Sequence, residues 1–345
     1  MANNGQAVAG AKRDSTPPKR GVGRATARVA SRPEHQHKVA VLFHGRLVGS
    51  ADLNRRVAQS LIDQLGGSCM PCEKGGTIDV WLDSPGGDAH AAYKLALFLS
   101  SRFETINFVV PDFAKSAATL LSLVGDRLYM SCSAEIGPLD LQQTREGEVQ
   151  TRSAISTADS IEFIFQHAFD NALFYGAHVM HATRLSREKS VSQMLNFSAQ
   201  LFQPLMAQLD PVAIHAAATG LLVTIEYGVR LLKGKRPGVP DEELMSVVSR
   251  LVRDYPVHGF IIDINEARDI GLPVDEIASY PLLREMKTIH GEWQKHFGDT
   301  IRVMDKDEVT KLAGEIESSR KPKAKEVIGE SVPARNGRMS SAASV

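Results

Sequence analysis

A glycine pair directly after one buried strand, and a serine among small residues directly after the next, constrain this chain most. Thr77-Ile78-Asp79-Val80-Trp81-Leu82 is short and β-rich, and it ends in the turn signal Asp83-Ser84-Pro85-Gly86-Gly87-Asp88. Residues 88–102 then predict a helix, with Ala91, Ala92, Leu95, Ala96, Phe98 and Leu99 on one apolar face. Residues 106–110 predict a second buried strand, stopped by Pro111-Asp112. Ala114-Lys115-Ser116-Ala117-Ala118-Thr119 follows and opens an apolar helix predicted over 116–124. Leu128-Tyr129-Met130 reads as a further short strand. Strands alternating with helices imply an α/β fold with parallel pairing. Ligands of such sheets bind beyond the carboxyl ends of the strands, where both Gly86-Gly87 and Ser116 fall.

Hydrolysis of an acyl bond needs what these two segments can supply together. Backbone N–H groups free of side chains can cradle an oxyanion, and a hydroxyl beside them can attack. Each segment also has a plainer reading, because Pro-Gly-Gly serves as a simple turn and a serine at a helix start serves as a cap. Their placement at corresponding ends of neighbouring strands favours the chemical reading.

Four segments, in order, resemble a known family. They are Asp83-Ser84-Pro85-Gly86-Gly87; Val110-Pro111-Asp112-Phe113-Ala114-Lys115-Ser116-Ala117-Ala118-Thr119-Leu120-Leu121; Ala134-Glu135-Ile136-Gly137-Pro138-Leu139-Asp140; and Tyr255-Pro256-Val257-His258-Gly259-Phe260-Ile261-Ile262 running into Glu266-Ala267-Arg268-Asp269-Ile270-Gly271-Leu272-Pro273-Val274. The chain resembles the serine dehydrogenase proteinase family over about residues 38–280. That family is related to signal peptide peptidase A, within the Clp-protease/crotonase superfamily. The resemblance implies a Clp/crotonase-like spiral of βαβ units with a helical insertion at about 156–252. It implies Ser116 as nucleophile and an oxyanion hole from Gly87 N–H and Ala117 N–H, with Gly86 as its turn. The superfamily contains peptidases and acyl-coenzyme A enzymes, so the motifs specify fold more closely than activity.

The general base departs from the family pattern. Relatives of the signal peptide peptidase type carry a lysine on a helix some fifty residues after the serine. Here that position falls near His167, and no lysine occurs between Lys115 and Lys189. The Clp-type histidine would fall near Pro138, where none occurs. His258 lies in the closing motif, so His258 and His167 compete as the base or share a relay, with His258 favoured. A serine needs a base within hydrogen-bond reach, and histidine suits that role near neutral pH. Lys115 is adjacent to the serine, and adjacent side chains usually point apart.

Composition fits a globular enzyme. Of 345 residues, 43% are hydrophobic, enough for a substantial core. Forty basic residues balance forty acidic ones, which gives no argument for nucleic acid. Three cysteines make no disulfide framework, and Cys69-Met70-Pro71-Cys72 lies between Gly-rich stretches without a second ligand pair for zinc. A reducing cytoplasm is the expected location. Residues 1–36 predict a disordered basic tail, and a mobile tail is expected from about residue 315. The apolar run 216–232 is interrupted by Glu226 and Arg230 and reads as a packed or interface helix, so no integral membrane segment is expected. Residues 37–285 are expected to form the catalytic domain, followed by a C-terminal helix. Phe163, Phe165, Phe169, Leu173 and Phe174 read as core or subunit-contact positions.

These readings converge on a serine peptidase acting on peptides or unfolded protein, as a homo-oligomer. No metal, cofactor or ATP is implied, since no phosphate-binding loop is present. The alternatives are an acyl-coenzyme A hydrolase or isomerase using the same oxyanion hole, and a non-catalytic scaffold that lost its base.

Overall fold

The computed structural model describes residues 37–42, 53–66, 74–140, 142–144, 151–297 and 301–320. The basic N-terminal stretch and the Cys69–Cys72 pair lie outside these residues. In chain order the elements are β1 (His37–Leu42), α1 (Arg55–Gln64), β2 (Thr77–Leu82), α2 (Ala89–Arg102), β3 (Thr105–Val110), β4 (Phe113–Ala114), α3 (Ala117–Ser122), β5 (Arg127–Met130), β6 (Glu135–Ile136), β7 (Gln142–Thr144) and β8 (Thr151–Ser153). There follow α4 (Ala154–Ala158), α5 (Ser160–Thr183), α6 (Arg187–Met206), α7 (Pro211–Lys235), α8 (Asp241–Arg253), α9 (Ile264–Ile270), β9 (Val274–Glu276), a 3₁₀ turn (Ile277–Ser279), α10 (Leu283–Phe297), β10 (Arg302–Asp305) and α11 (Lys306–Arg320).

The central sheet has the order β10-β1-β2-β3-β5-β9 and is parallel except for β10, which pairs antiparallel with β1. Both faces are covered, as parallel sheets require, and the period of two in each strand divides its residues between two cores. Ala40, Ile78, Val80, Leu82, Ile106, Phe108 and Val110 join the core built with α1, α2, α3, α7 and α8. Val39, Val41, Trp81, Val109 and Tyr129 face Met286, Ile289, Trp293, Val309 and Ile316 of α10 and α11. The strands anticipated from the sequence are present, and so is the helical middle.

Asp79 is the polar exception inside β2. Its carboxylate accepts from Asn107 Nδ2 at 2.8 Å and from the Tyr280 hydroxyl at 2.9 Å, and it lies 2.6 Å from His37 Nε2. Burial, with the Asp79 charge beside it, pushes the Tyr280 phenol far above its ordinary range.

Three elements differ from expectation. The serine helix is shorter than 116–124: it ends at Ser122, and the chain turns through Gly125, where a Cβ would come within 2.8 Å of the Phe108 ring. Helix α11 runs to Arg320, past the expected start of a mobile tail, because Val309, Ala313 and Ile316 share one buried face. Helix α7 is 25 residues long, more than the uninterrupted apolar run, since Glu226 and Arg230 pair on its surface at 2.7 Å. By length and composition alone α7 could cross a membrane. Here Ala217, Leu221, Ile225, Leu231 and Leu232 bury one face of it in the core.

Candidate active site

The loop after β2 and the loop after β3 are stitched together by backbone bonds. Ser84 N–H donates to the Phe113 carbonyl and Lys115 N–H donates to the Ser84 carbonyl, both at 3.0 Å. Ser84 Oγ, fully buried, accepts from Gly86 N–H at 3.2 Å and shapes the turn. Gly86 has φ +105° and is pressed against the serine. A Cβ there would lie 2.5 Å from the Lys115 carbonyl oxygen, 2.9 Å from Ser116 Cβ and 3.1 Å from Ala117 N. The two segments singled out in the sequence are therefore in van der Waals contact.

Gly87 is held from its other side. Leu53 N–H donates to the Gly86 carbonyl at 2.7 Å, and the Leu53 carbonyl accepts from Asp88 N–H at 2.8 Å. This parallel bridge uses the backbone groups flanking Gly87 and turns the N–H of Gly87 itself away. Among the described residues neither Gly87 N–H nor Ala117 N–H has an acceptor. Gly87 is exposed and Ser116 half-buried, whereas Ala117 is buried, so the glycine turn and the serine are the parts of this arrangement open to solvent.

Ser116 occupies the N-cap position of α3 but does not cap it. Its φ is +52° and its ψ −117°, and its side chain makes no capping bond. A non-glycine residue in this region carries strain of about 1–3 kcal/mol, and such outliers cluster at functional sites. The sharp strand-to-helix turn lifts the hydroxyl clear of the helix it opens, as a nucleophile elbow does.

The other two motif segments lock the serine's neighbours. Lys115 points away from the site: its Nζ pairs with Glu135 at 2.8 Å and donates to the Phe260 carbonyl at 3.1 Å. Gly137 lies under the Lys115 stem, where no Cβ would fit. Thr119 Oγ1 lies 2.8 Å from the Ala114 carbonyl and 2.9 Å from that of Gly137. Ile136 and Ile262 exchange backbone bonds at 3.0 and 3.1 Å, which fixes the 255–262 loop to β6.

His258 lies in that loop, two residues before the carbonyl that binds Lys115. Its Nδ1 is buried and has no hydrogen-bond partner among the described residues. His167 is placed differently. It is exposed on α5, its ring 4.0 Å from that of Phe163 and its Nδ1 2.8 Å from the Phe163 carbonyl. Among the described residues nothing hydrogen-bonds the Ser116 hydroxyl, and no group of three His, Cys, Asp or Glu could hold a metal.

Asp83 is a site feature that motif reading did not single out. It is buried at the end of β2, with Oδ1 unpartnered. Burial raises its carboxyl from 3.8 to about 7; the Asp112 charge adds to the rise, and the Phe113 N–H opposes it. Half-buried His290 shifts downward by desolvation, against the pull of the same Asp112. The only sequence signal was an acid directly before Ser84-Pro85. Because the folded-state value lies above the unfolded one, the folded chain holds this proton more tightly. Its stabilising effect is complete below about pH 4 and is lost as pH rises towards 7. Asp83→Asn should therefore raise the melting temperature at pH 8 and change it little at pH 4. The gain has an upper bound of about 4 kcal/mol, from the size of the shift. Melting curves across that range check it; a variant equally shifted at both ends would show that the buried charge is not the cause.

No protein-family model matches the chain. Two uncharacterized proteins of Methanocaldococcus jannaschii are similar to it. MJ0137 is 35% identical over 200 residues, covering 57% of this chain and 53% of that protein. MJ1495 is 34% identical over 65 residues, covering 19% of this chain and 22% of its own length. The chain thus spans about half of the first relative and about a fifth of the second.

Proposed function

We propose that the chain is a serine peptidase with a Clp/crotonase-like spiral fold, in which Ser116 is the nucleophile. The observation that carries this reading is the strained turn at Ser116 with Gly86 packed on it, beside two backbone N–H groups that find no acceptor among the described residues. In the proposed reaction His258 accepts the Ser116 hydroxyl proton as Oγ attacks the peptide carbonyl. Gly87 N–H and Ala117 N–H hold the oxyanion that forms, and one such donor is commonly worth a hundredfold or more in rate. The leaving amine takes the proton from His258, and water then cleaves the acyl-enzyme by the same route in reverse. The placement of His258 supports its assignment over His167: its loop is bonded to β6 and to Lys115, the neighbour of Ser116, whereas His167 is exposed on α5.

One observation favours a second reading. The Ser116 hydroxyl has no hydrogen bond among the described residues, as expected of a protein that kept this fold without the serine chemistry. Catalytic hydrogen bonds often tighten only when substrate binds, so this absence is compatible with the peptidase as well. A fluorophosphonate probe separates the two, because only an activated serine labels. With labelling in hand, His258→Ala should abolish it while His167→Ala retains most of it. Full labelling of His258→Ala would remove that histidine from the mechanism.

A further inference from the structure

Lys115 precedes the serine and runs away from it. Its side chain is only 13% exposed although it carries a charge. A lysine seldom goes that deep without partners, and Lys115 has two, from two separate segments. Its Nζ lies 2.8 Å from Glu135 Oε1 and donates to the Phe260 carbonyl at 3.1 Å. The main chain of the same residue is held by the glycine turn, because its N–H donates to the Ser84 carbonyl. One residue therefore joins all four of the segments singled out in the sequence.

The stem of Lys115 has a slot of its own. A Cβ at position 137 would overlap Lys115 Cδ and lie 3.2 Å from Lys115 Cα and Cβ. The backbone does not require a glycine there, since the φ of Gly137 lies outside the left-handed region. What the missing side chain provides is room for the lysine.

The far end of this strut is the loop that carries His258. Backbone bonds between Ile136 and Ile262 anchor the end of the loop, and the Tyr255 hydroxyl donates to Glu266 at its start. Between those anchors, the bond from Lys115 to the Phe260 carbonyl is the one hydrogen bond among the described residues that joins residues 256–261 to another segment. Phe260 N–H turns back to the Val257 carbonyl at 3.0 Å, so His258 sits inside the turn that the lysine holds. Val257 and Ile261, on either side, are exposed, and their packing constrains the turn weakly.

We propose that Lys115 is a positioning residue, which fixes the turn carrying His258 against the turn carrying Ser116. Its effect on rate rests on the serine-peptidase reading. The lysine takes no proton in the reaction, because its Nζ is committed to Glu135 and to the Phe260 carbonyl. Its part is to keep base and nucleophile in register, where a misplacement of about 1 Å can cost about a hundredfold in rate.

Two variants of the full chain test this. Lys115→Met keeps the stem and removes the donors; Gly137→Ala keeps every polar group and drives the stem from its slot. Both should slow fluorophosphonate labelling by about tenfold or more. Lys115→Arg, which keeps a charged donor, should recover most of that loss. In the unaltered chain the labelling rate should rise through the histidine range as pH increases. That rise should flatten in Lys115→Met, which a loss of stability alone would not produce. Hydrogen exchange reads the tie without any activity: amides of residues 256–261 should exchange faster in both variants, and those of β2 should not change. Unchanged exchange in the loop overturns the proposal. So does labelling of Lys115→Met at the original rate, or a Lys115→Arg variant as slow as Lys115→Met. An unaltered chain that does not label at all overturns the peptidase reading and the effect on rate drawn from it, while faster loop exchange in the variants would still establish the tie.

Discussion

Gly86→Ala is expected to remove activity and to destabilise the fold together. The methyl group would lie 2.5 Å from the Lys115 carbonyl oxygen, a backbone atom that cannot swing aside. It would also have to be carried at φ +105°, a region closed to most L-residues. The conformational cost is about 1–3 kcal/mol and the forced separation of the two loops adds about as much again. A total of about 3 kcal/mol or more is a large share of an ordinary domain's stability. Urea unfolding measures it, with Gly234→Ala as the control. Gly234 lies in α7 with nothing within 4 Å of its missing Cβ, so alanine there should stabilise by about 0.5–1 kcal/mol through helix propensity. Equal behaviour of the two variants would contradict the close contact between the glycine turn and the serine.

Ser116 gives the second large effect, and a series of substitutions separates chemistry from conformation. Ser116→Ala should lose fluorophosphonate labelling outright and lower peptide hydrolysis by about a thousandfold or more, leaving only what the backbone donors supply. The alanine still has to adopt φ +52° and ψ −117°. Ser116→Gly does not pay that conformational cost and should be more stable than Ser116→Ala by about 1 kcal/mol, although both are inactive. If glycine is no better than alanine, the turn is not strained. If alanine hydrolyses peptide at the original rate, Ser116 is not the nucleophile.

How far the sequence reveals the site depends on whether local signals or long-range contacts decide it. Strand β2 and helix α2 were legible because their periodicity and turn chemistry are local; Asp88, the first residue of the expected helix, is its N-cap. The resemblance gave Gly86 and Gly87 separate roles, as turn and as donor, but not what each of them packs against. Only the fold shows Gly86 meeting the serine and Gly87 meeting Leu53, a residue more than thirty positions earlier. Lys115 stayed ambiguous for the same reason, since Glu135 and Phe260, which draw it away, come from two distant motifs. The aromatic residues of α5 were open to two readings, core or subunit contact, and their exposure removes the first. Phe163 and Phe165 are 62% and 66% exposed among the described residues, and a side chain's hydrophobicity alone does not say whether it is buried.

The pairing of β1 with β10 sets the order in which the sheet can close. Lys38 lies opposite Asp305 and Val41 opposite Arg302, so β1 waits for a partner strand that is synthesised far later. Until β10 arrives, the outer edge of β1 offers unpaired backbone groups, and Val39 and Val41 lack the cover of Met304 and Val309. A nascent chain therefore carries an adhesive strand edge until β10 has emerged. A holding chaperone, or a pause near residue 300, would act on that interval and not on the finished fold.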